Sequence, residues 1–197
     1  GRSTCILVIP AAARRWSRRP SMRRPGLFAR RAVYPWACST GAWIEPDLER
    51  RLELIGGWSM PDYTSVNLSE DGCERVMEAV LGAGVGIEAG IGSVEDAERL
   101  AASGLGDRVT RVLVEPEDPG AARAVAVVDE IHAALDRLGL DAPRLQHSDG
   151  EATWMLIDDA VRRGVDTRVG LEDTLHGPNG ALTEGNASLV REGAHGR

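Results

Sequence analysis

From residue 38 onward the chain alternates between two hydrophobic periods. Short apolar runs are centred on Ser39, Ser65, Ile87, Val112, Leu145 and Val169. They lie roughly 22 to 33 residues apart, the spacing of strand-then-helix units in a parallel sheet. Between them, apolar residues recur at three- and four-residue intervals over 46–55, 72–81, 94–102, 121–138 and 151–163, which predicts five amphipathic helices. Ser93 followed by Glu95 and Asp96 is a helix start, and Gly139 and Gly164 are helix stops. The run from Arg168 to Leu175 opens apolar and closes on two adjacent carboxylates, Glu172 and Asp173. It reads as a buried strand that carries charge out at its carboxyl end, where parallel sheets bind ligands.

Six such units predict an α/β fold: a TIM (β/α)8 barrel that is incomplete, with an irregular Arg-rich segment before it. A complete barrel needs roughly 250 residues against the 197 present. A doubly wound open sheet is the competing architecture. No Gly-x-Gly-x-x-Gly turn follows a strand in the register of a dinucleotide site, which weighs against it. The predicted organisation is an Arg-rich segment over 1–38, a partial catalytic barrel over 39–192 and a tail over 193–197.

Charge divides the chain at the same place. Residues 1–44 hold nine arginines and no acid, while residues 45–197 hold all 30 acids with 14 arginines. The paired arginines 14/15, 18/19, 23/24 and 30/31, with Trp16 and Trp36, would suit a nucleic-acid arm. A disordered tail and out-of-frame translation are the competing readings, and no nucleic-acid partner is expected. All 23 basic residues are arginine, a bias that points to a GC-rich genome rather than to a function. With no stretch of 18 apolar residues and no signal-peptide pattern, a cytoplasmic protein without a membrane partner is expected. Cys5, Cys38 and Cys73 have no CxxC spacing, which argues against a disulfide framework or a zinc knuckle.

In a barrel the strands' carboxyl ends meet at one mouth. Read from the sequence, those ends carry Ser39-Thr40, Ser65 to Glu70, Glu88, Glu115, His147 and the Arg168/Glu172/Asp173 group. So many acids repel one another unless a cation lies among them, either a divalent metal or an arginine, and Arg168 is one candidate. On a strand, Glu172 and Asp173 would face different ways and could divide metal binding from proton transfer. His147 could touch CoA phosphate, replace a metal ligand, or donate to backbone within Gln146-His147-Ser148, and the last is the favoured reading.

The segments Asp62 to Glu70, Gly84 to Gly90, Arg111 to Pro116, Thr167 to Leu175 and Asn186 to Val190 resemble the β-keto acid cleavage enzymes. The resemblance covers about residues 39–192, and Arg-x-Gly-Leu-Glu-Asp is its most specific motif. It implies a zinc-dependent TIM barrel that condenses a β-keto acid with acetyl-CoA and splits the adduct into acetoacetate and a new acyl-CoA. It implies Glu172 as a zinc ligand, and Arg168, Asp173 and a strand-end serine, Ser39, in proton transfer. Glu88 corresponds to a further active-site acid, and family members assemble as homo-oligomers. A metal-dependent aldolase or lyase on the same barrel, and a non-catalytic fragment, are the alternatives.

The family's remaining zinc ligands are two histidines in a His-x-His element on an early strand. The four histidines here, His132, His147, His176 and His195, contain no such pair. A reading-frame slip would account for the loss: with one permitted codon choice, residues 2–10 read two bases later become Val-His-Val-His-Pro-Arg-Asp-Pro. Residues 1–38 are therefore expected to be frame-shifted translation, and the chain as written is expected to bind no stoichiometric zinc.

Overall fold

In the computed structural model, residues 7–9, 36–117 and 120–194 are described. The paired arginines, Trp16, Cys5 and His195 lie outside them. Seven strands form one sheet: β1 (Leu7–Ile9), β2 (Ala37–Ser39), β3 (Tyr63–Asn67), β4 (Gly86–Ile91), β5 (Arg111–Val114), β6 (Arg144–Gln146) and β7 (Asp166–Val169). Six helices accompany them: α1 (Leu48–Gly56), α2 (Cys73–Gly82), α3 (Val94–Ala102), α4 (Ala121–Arg137), α5 (Thr153–Arg163) and α6 (Asn186–Ala194).

The sheet order is β1-β7-β6-β5-β4-β3-β2. Every pair from β2 to β7 is parallel, and β1 alone runs antiparallel, against β7. The six parallel strands curl into a half-barrel alternating with helices, as expected of a partial TIM barrel. All six strand positions read from the hydrophobic pattern are strands, and all five predicted helices are present.

Local chemistry explains the boundaries. Ser93 Oγ accepts from Asp96 N at 3.2 Å while the Asp96 carboxylate accepts from Ser93 N at 3.0 Å, a reciprocal cap that starts α3. Gly164, at φ +72°, ends α5 in the left-handed region that a side chain disfavours. The segment predicted as one helix from residue 151 begins instead as a 3-10 turn over Gly150–Ala152 before α5 starts.

The core lies between the sheet and its helices. Val66 of β3, Ile87, Ala89 and Ile91 of β4 and Val112 and Val114 of β5 pack with Met77, Val80, Leu100, Val128, Ile131 and Leu135 from α2 to α4. Side chains alternate across a strand, so the intervening residues face the hollow of the half-barrel. A smaller cluster of Ile157, Val169 and Leu189 seats α5 and α6 against β7.

The Arg168–Leu175 run is not a continuous strand. β7 stops at Val169, and a turn follows in which Gly170 O accepts from Asp173 N at 3.0 Å and from Thr174 N at 3.2 Å. Asp173 itself causes the break: its Oδ2 accepts from Gly170 N at 2.8 Å and takes the amide a strand would offer to a ladder. Leu171 and Leu175 are accordingly exposed.

Candidate active site

The parallel register builds one face of the site. Ser39 of β2 lies beside Ser65 of β3, Ser65 beside Glu88 of β4, and Glu88 beside Arg111 of β5. Residues level with one another on neighbouring strands project to the same side of a sheet, so these four form a row across the hollow face. Glu88 is mid-strand rather than at a strand end, which corrects the sequence expectation. Its carboxylate is buried and paired with the Arg111 guanidinium. Arg111 also donates to Tyr63 Oη at 3.1 Å and lies 4.9 Å from that ring's centroid, a cation over a π-face.

Arg168 reaches the same cluster from β7. Its Nη1 is 3.4 Å from Glu88 Oε1 and its Nη2 is 3.9 Å from Glu115 Oε1, and its buried Nε has no hydrogen-bond partner. Two loosely engaged carboxylates therefore share a guanidinium that keeps donor capacity in reserve.

His147, just past the end of β6, is 1% exposed. Its Nε2 lies 3.1 Å from Glu115 Oε1 and its Nδ1 3.5 Å from Asp173 Oδ1. Neither approach is aligned as a hydrogen bond, and both ring nitrogens are buried without one. Its backbone N–H, not its ring, bonds to the main chain, at 3.1 Å from Val114 O, so the expectation of a ring-to-backbone donor is corrected. Burial and the Arg168 charge would depress the ring's pKa, but the Asp173 and Glu115 carboxylates outweigh them and raise it. Burial would likewise raise the Glu115 carboxyl, and His147 with Arg168 brings it below the usual range.

Asp173 is buried and fixed on both sides: Oδ2 by Gly170 N–H, Oδ1 facing His147. Glu172 is exposed on the turn, its carboxylate close over Gly170, where an added Cβ would meet its Cδ at 3.2 Å. What burial it has, and then the Asp173 charge, raises its carboxyl pKa against the opposing pull of Arg168 and His147. The two acids of the motif thus have different environments, set by a turn and not by strand alternation.

Other expected members are used elsewhere. Glu70 pairs with the buried Arg51 and accepts from Ala42 N at 3.1 and 3.0 Å, which ties down the segment after β2. Ser69 meets Glu117 at 3.2 Å. Ser39 Oγ accepts from Gly41 N at 3.2 Å, a local turn bond.

The beta-keto acid cleavage enzyme family model matches residues 39–195. The chain belongs to that family. A comparison with curated proteins returned no match. The matched span runs from the last residue of β2 to just past α6, and so contains every side chain of the cluster. The activity of the family is β-keto acid cleavage. No helix among the described residues is long and apolar enough to cross a membrane.

A zinc ion of the kind the family implies needs several ligands that converge. Glu172 has the character of a ligand, since a cation would relieve the unfavourable surroundings of its ionised form. Among the described residues, however, no three His, Cys, Asp or Glu side chains are disposed to share an ion. The described residues do not complete a zinc site, and no chemical step is derived through one.

Sequence reasoning missed Arg111, which holds Glu88, Tyr63, which holds Arg111, and the pairing of His147 with Glu115 and Asp173. Counting register across adjacent predicted strands would have aligned Glu88 with Arg111. The His147 contacts depend on how the turn after β7 folds back, which strand periodicity does not report.

Proposed function

We propose that this member of the family is an enzyme that transfers the acyl part of a β-keto acid to coenzyme A, using acetyl-CoA as co-substrate and releasing acetoacetate. The balance closes without oxidant or reductant. The bond between C2 and C3 of the keto acid breaks, C2 with its carboxylate joins the acetyl carbonyl carbon, and the remaining acyl group ends on the CoA sulfur.

One observation carries the reading: Arg168 and Asp173, the cation and the carboxylate of the motif, join one buried ion-pair cluster through Glu115 and His147. Forming a carbanion beside a carbonyl needs a base next to a group that holds the resulting negative charge. Arg168, with an unpartnered Nε, one long bond to Glu88 and Glu115 at 3.9 Å, takes the anionic end of the keto acid. Asp173, held through Oδ2, offers Oδ1 as the base for the C2 proton. Glu88 anchors Arg168 rather than moving protons, because its carboxylate is already committed to two guanidiniums. Ser39 lies on the same row and contributes a hydroxyl to the substrate side. The zinc that the family implies would have only Glu172 as a ligand among the described residues, and the roles above stand without it.

The test incubates the chain with acetyl-CoA and a panel of β-keto acids and follows acetoacetate. Release is expected with at least one member, with a loss of about 100-fold or more in Arg168→Met and Asp173→Asn. No acetoacetate from any keto acid, or undiminished release by both variants, overturns the reading.

A further inference from the structure

We propose that His147 is a positioning residue for Asp173, with Glu115 as its outer anchor. The inference rests on the function proposed above and adds a residue that the family motif does not contain.

The two buried histidines among the described residues give the contrast. His132, on α4, is satisfied at both nitrogens: Nε2 meets Gln146 Oε1 at 2.8 Å and Nδ1 meets Arg144 Nη1 at 3.1 Å. Burial lowers its pKa and keeps it neutral, as expected of a packing element. His147 is more deeply buried, and each of its nitrogens faces a carboxylate without a hydrogen bond. A buried polar ring left in that state is costly unless the arrangement serves another purpose.

The geometry around Asp173 supplies the purpose. Oδ2 is occupied by the Gly170 amide, so Oδ1 is the oxygen left for substrate. The His147 ring stands 3.5 Å from Oδ1. It is near enough to hold the carboxylate in place by charge and bulk, and too far and too oblique to consume the lone pair. On its other side Nε2 is 3.1 Å from Glu115, which is 39% exposed and also lies 3.9 Å from Arg168. His147 therefore couples the orientation of the base to that of the arginine through Glu115. Since the Val114 carbonyl of β5 holds the His147 main chain, the side chain can be exchanged without removing that bond.

The experiment uses the full chain and two readouts. In nitrogen-15 spectra of the imidazole at fixed pH, Asp173→Asn is expected to move the His147 Nδ1 resonance and Glu115→Gln the Nε2 resonance. In turnover, His147→Leu is expected to lower kcat by about 10- to 100-fold with KM nearly unchanged, the usual loss when an orienting partner is removed. His147→Asn, whose amide nitrogen falls near Nδ1, is expected to recover part of it. Ring resonances indifferent to both carboxylate variants overturn the inference whether or not the chain turns over. So does an unchanged kcat in His147→Leu, or a raised KM alone. If His147→Leu does not fold, Glu115→Gln carries the kinetic test from the outer side, where the same fall in kcat, smaller in size, is expected and its absence overturns the inference. Absence of acetoacetate from the parent would overturn the function proposed above, while the ring resonances still decide the contact.

Discussion

Replacing Glu88 by Gln keeps the side chain's volume and removes its charge, and the surroundings set the cost. Glu88 and Arg111 are 2% and 7% exposed, so neither can turn to water for a new partner. After the change Arg111 retains only the Tyr63 phenol oxygen and ring face, and Arg168 retains only Glu115 at 3.9 Å. The gross attraction lost between Glu88 and Arg168 at 3.4 Å is about 5 kcal/mol at an effective dielectric of about 20. Desolvation of the ions offsets much of such a figure, and breaking one side of a buried pair costs about 3–5 kcal/mol in practice. Arg111→Met should cost less, about 2–3 kcal/mol, because Glu88 still has Arg168. The double variant should cost less than the sum of the two by about 1–3 kcal/mol, since the second change removes the charge that the first left unpaired. Urea unfolding followed by circular dichroism measures all three, with Arg50→Ala as a control: its pair with Glu53 is 52% and 71% exposed and should matter by less than about 1 kcal/mol. A Glu88→Gln cost below about 1 kcal/mol, or strict additivity in the double variant, would refute the reasoning.

Three further outcomes are expected. Ser93→Ala loses the reciprocal cap of α3 and should destabilise by about 1 kcal/mol in the same urea assay. Burial pushes the Cys73 thiol up to about 12, so a maleimide should label Cys38 first and reach Cys73 only on unfolding. The raised pKa of His147 means that its charged form is favoured in the folded state; this contribution is complete below pH 6.5 and is lost as the pH climbs through the folded value. The urea midpoint should therefore fall over that rise. Asp173→Asn should flatten the fall, with the Glu115 carboxylate retaining part of it and Arg168 opposing it.

The fold was legible wherever periodicity was strong. β2 to β7 and α1 to α5 follow from apolar spacing, and Ser93, Gly139 and Gly164 mark real boundaries because capping chemistry is local. What failed depended on groups far apart in the chain. The motif after β7 carries strand-like residues, yet the Asp173 side chain takes the Gly170 amide and turns the backbone away. Glu70 carries charge at a strand end, yet a buried Arg51 from α1 claims it. The role of His147 stayed open in the sequence because its carboxylate neighbours come from just past β5 and from the turn after β7, 32 and 26 positions distant. β1 was not anticipated at all, and its antiparallel pairing with β7 brings together positions about 160 apart.

Because β2 through β7 lie side by side in chain order, each strand–helix brick leans only on the bricks before and after it. Such a row behaves like masonry laid in courses: assembly can begin at any interior unit and spread outward, and a flaw weakens its neighbours before it reaches the rest. The middle courses, β3 to β5, have a partner on both sides and should be the last to exchange their amide hydrogens. β2, which among the described residues is paired on one side only and carries Ser39, should breathe before them. One end of the row of site side chains therefore stands where the wall is thinnest.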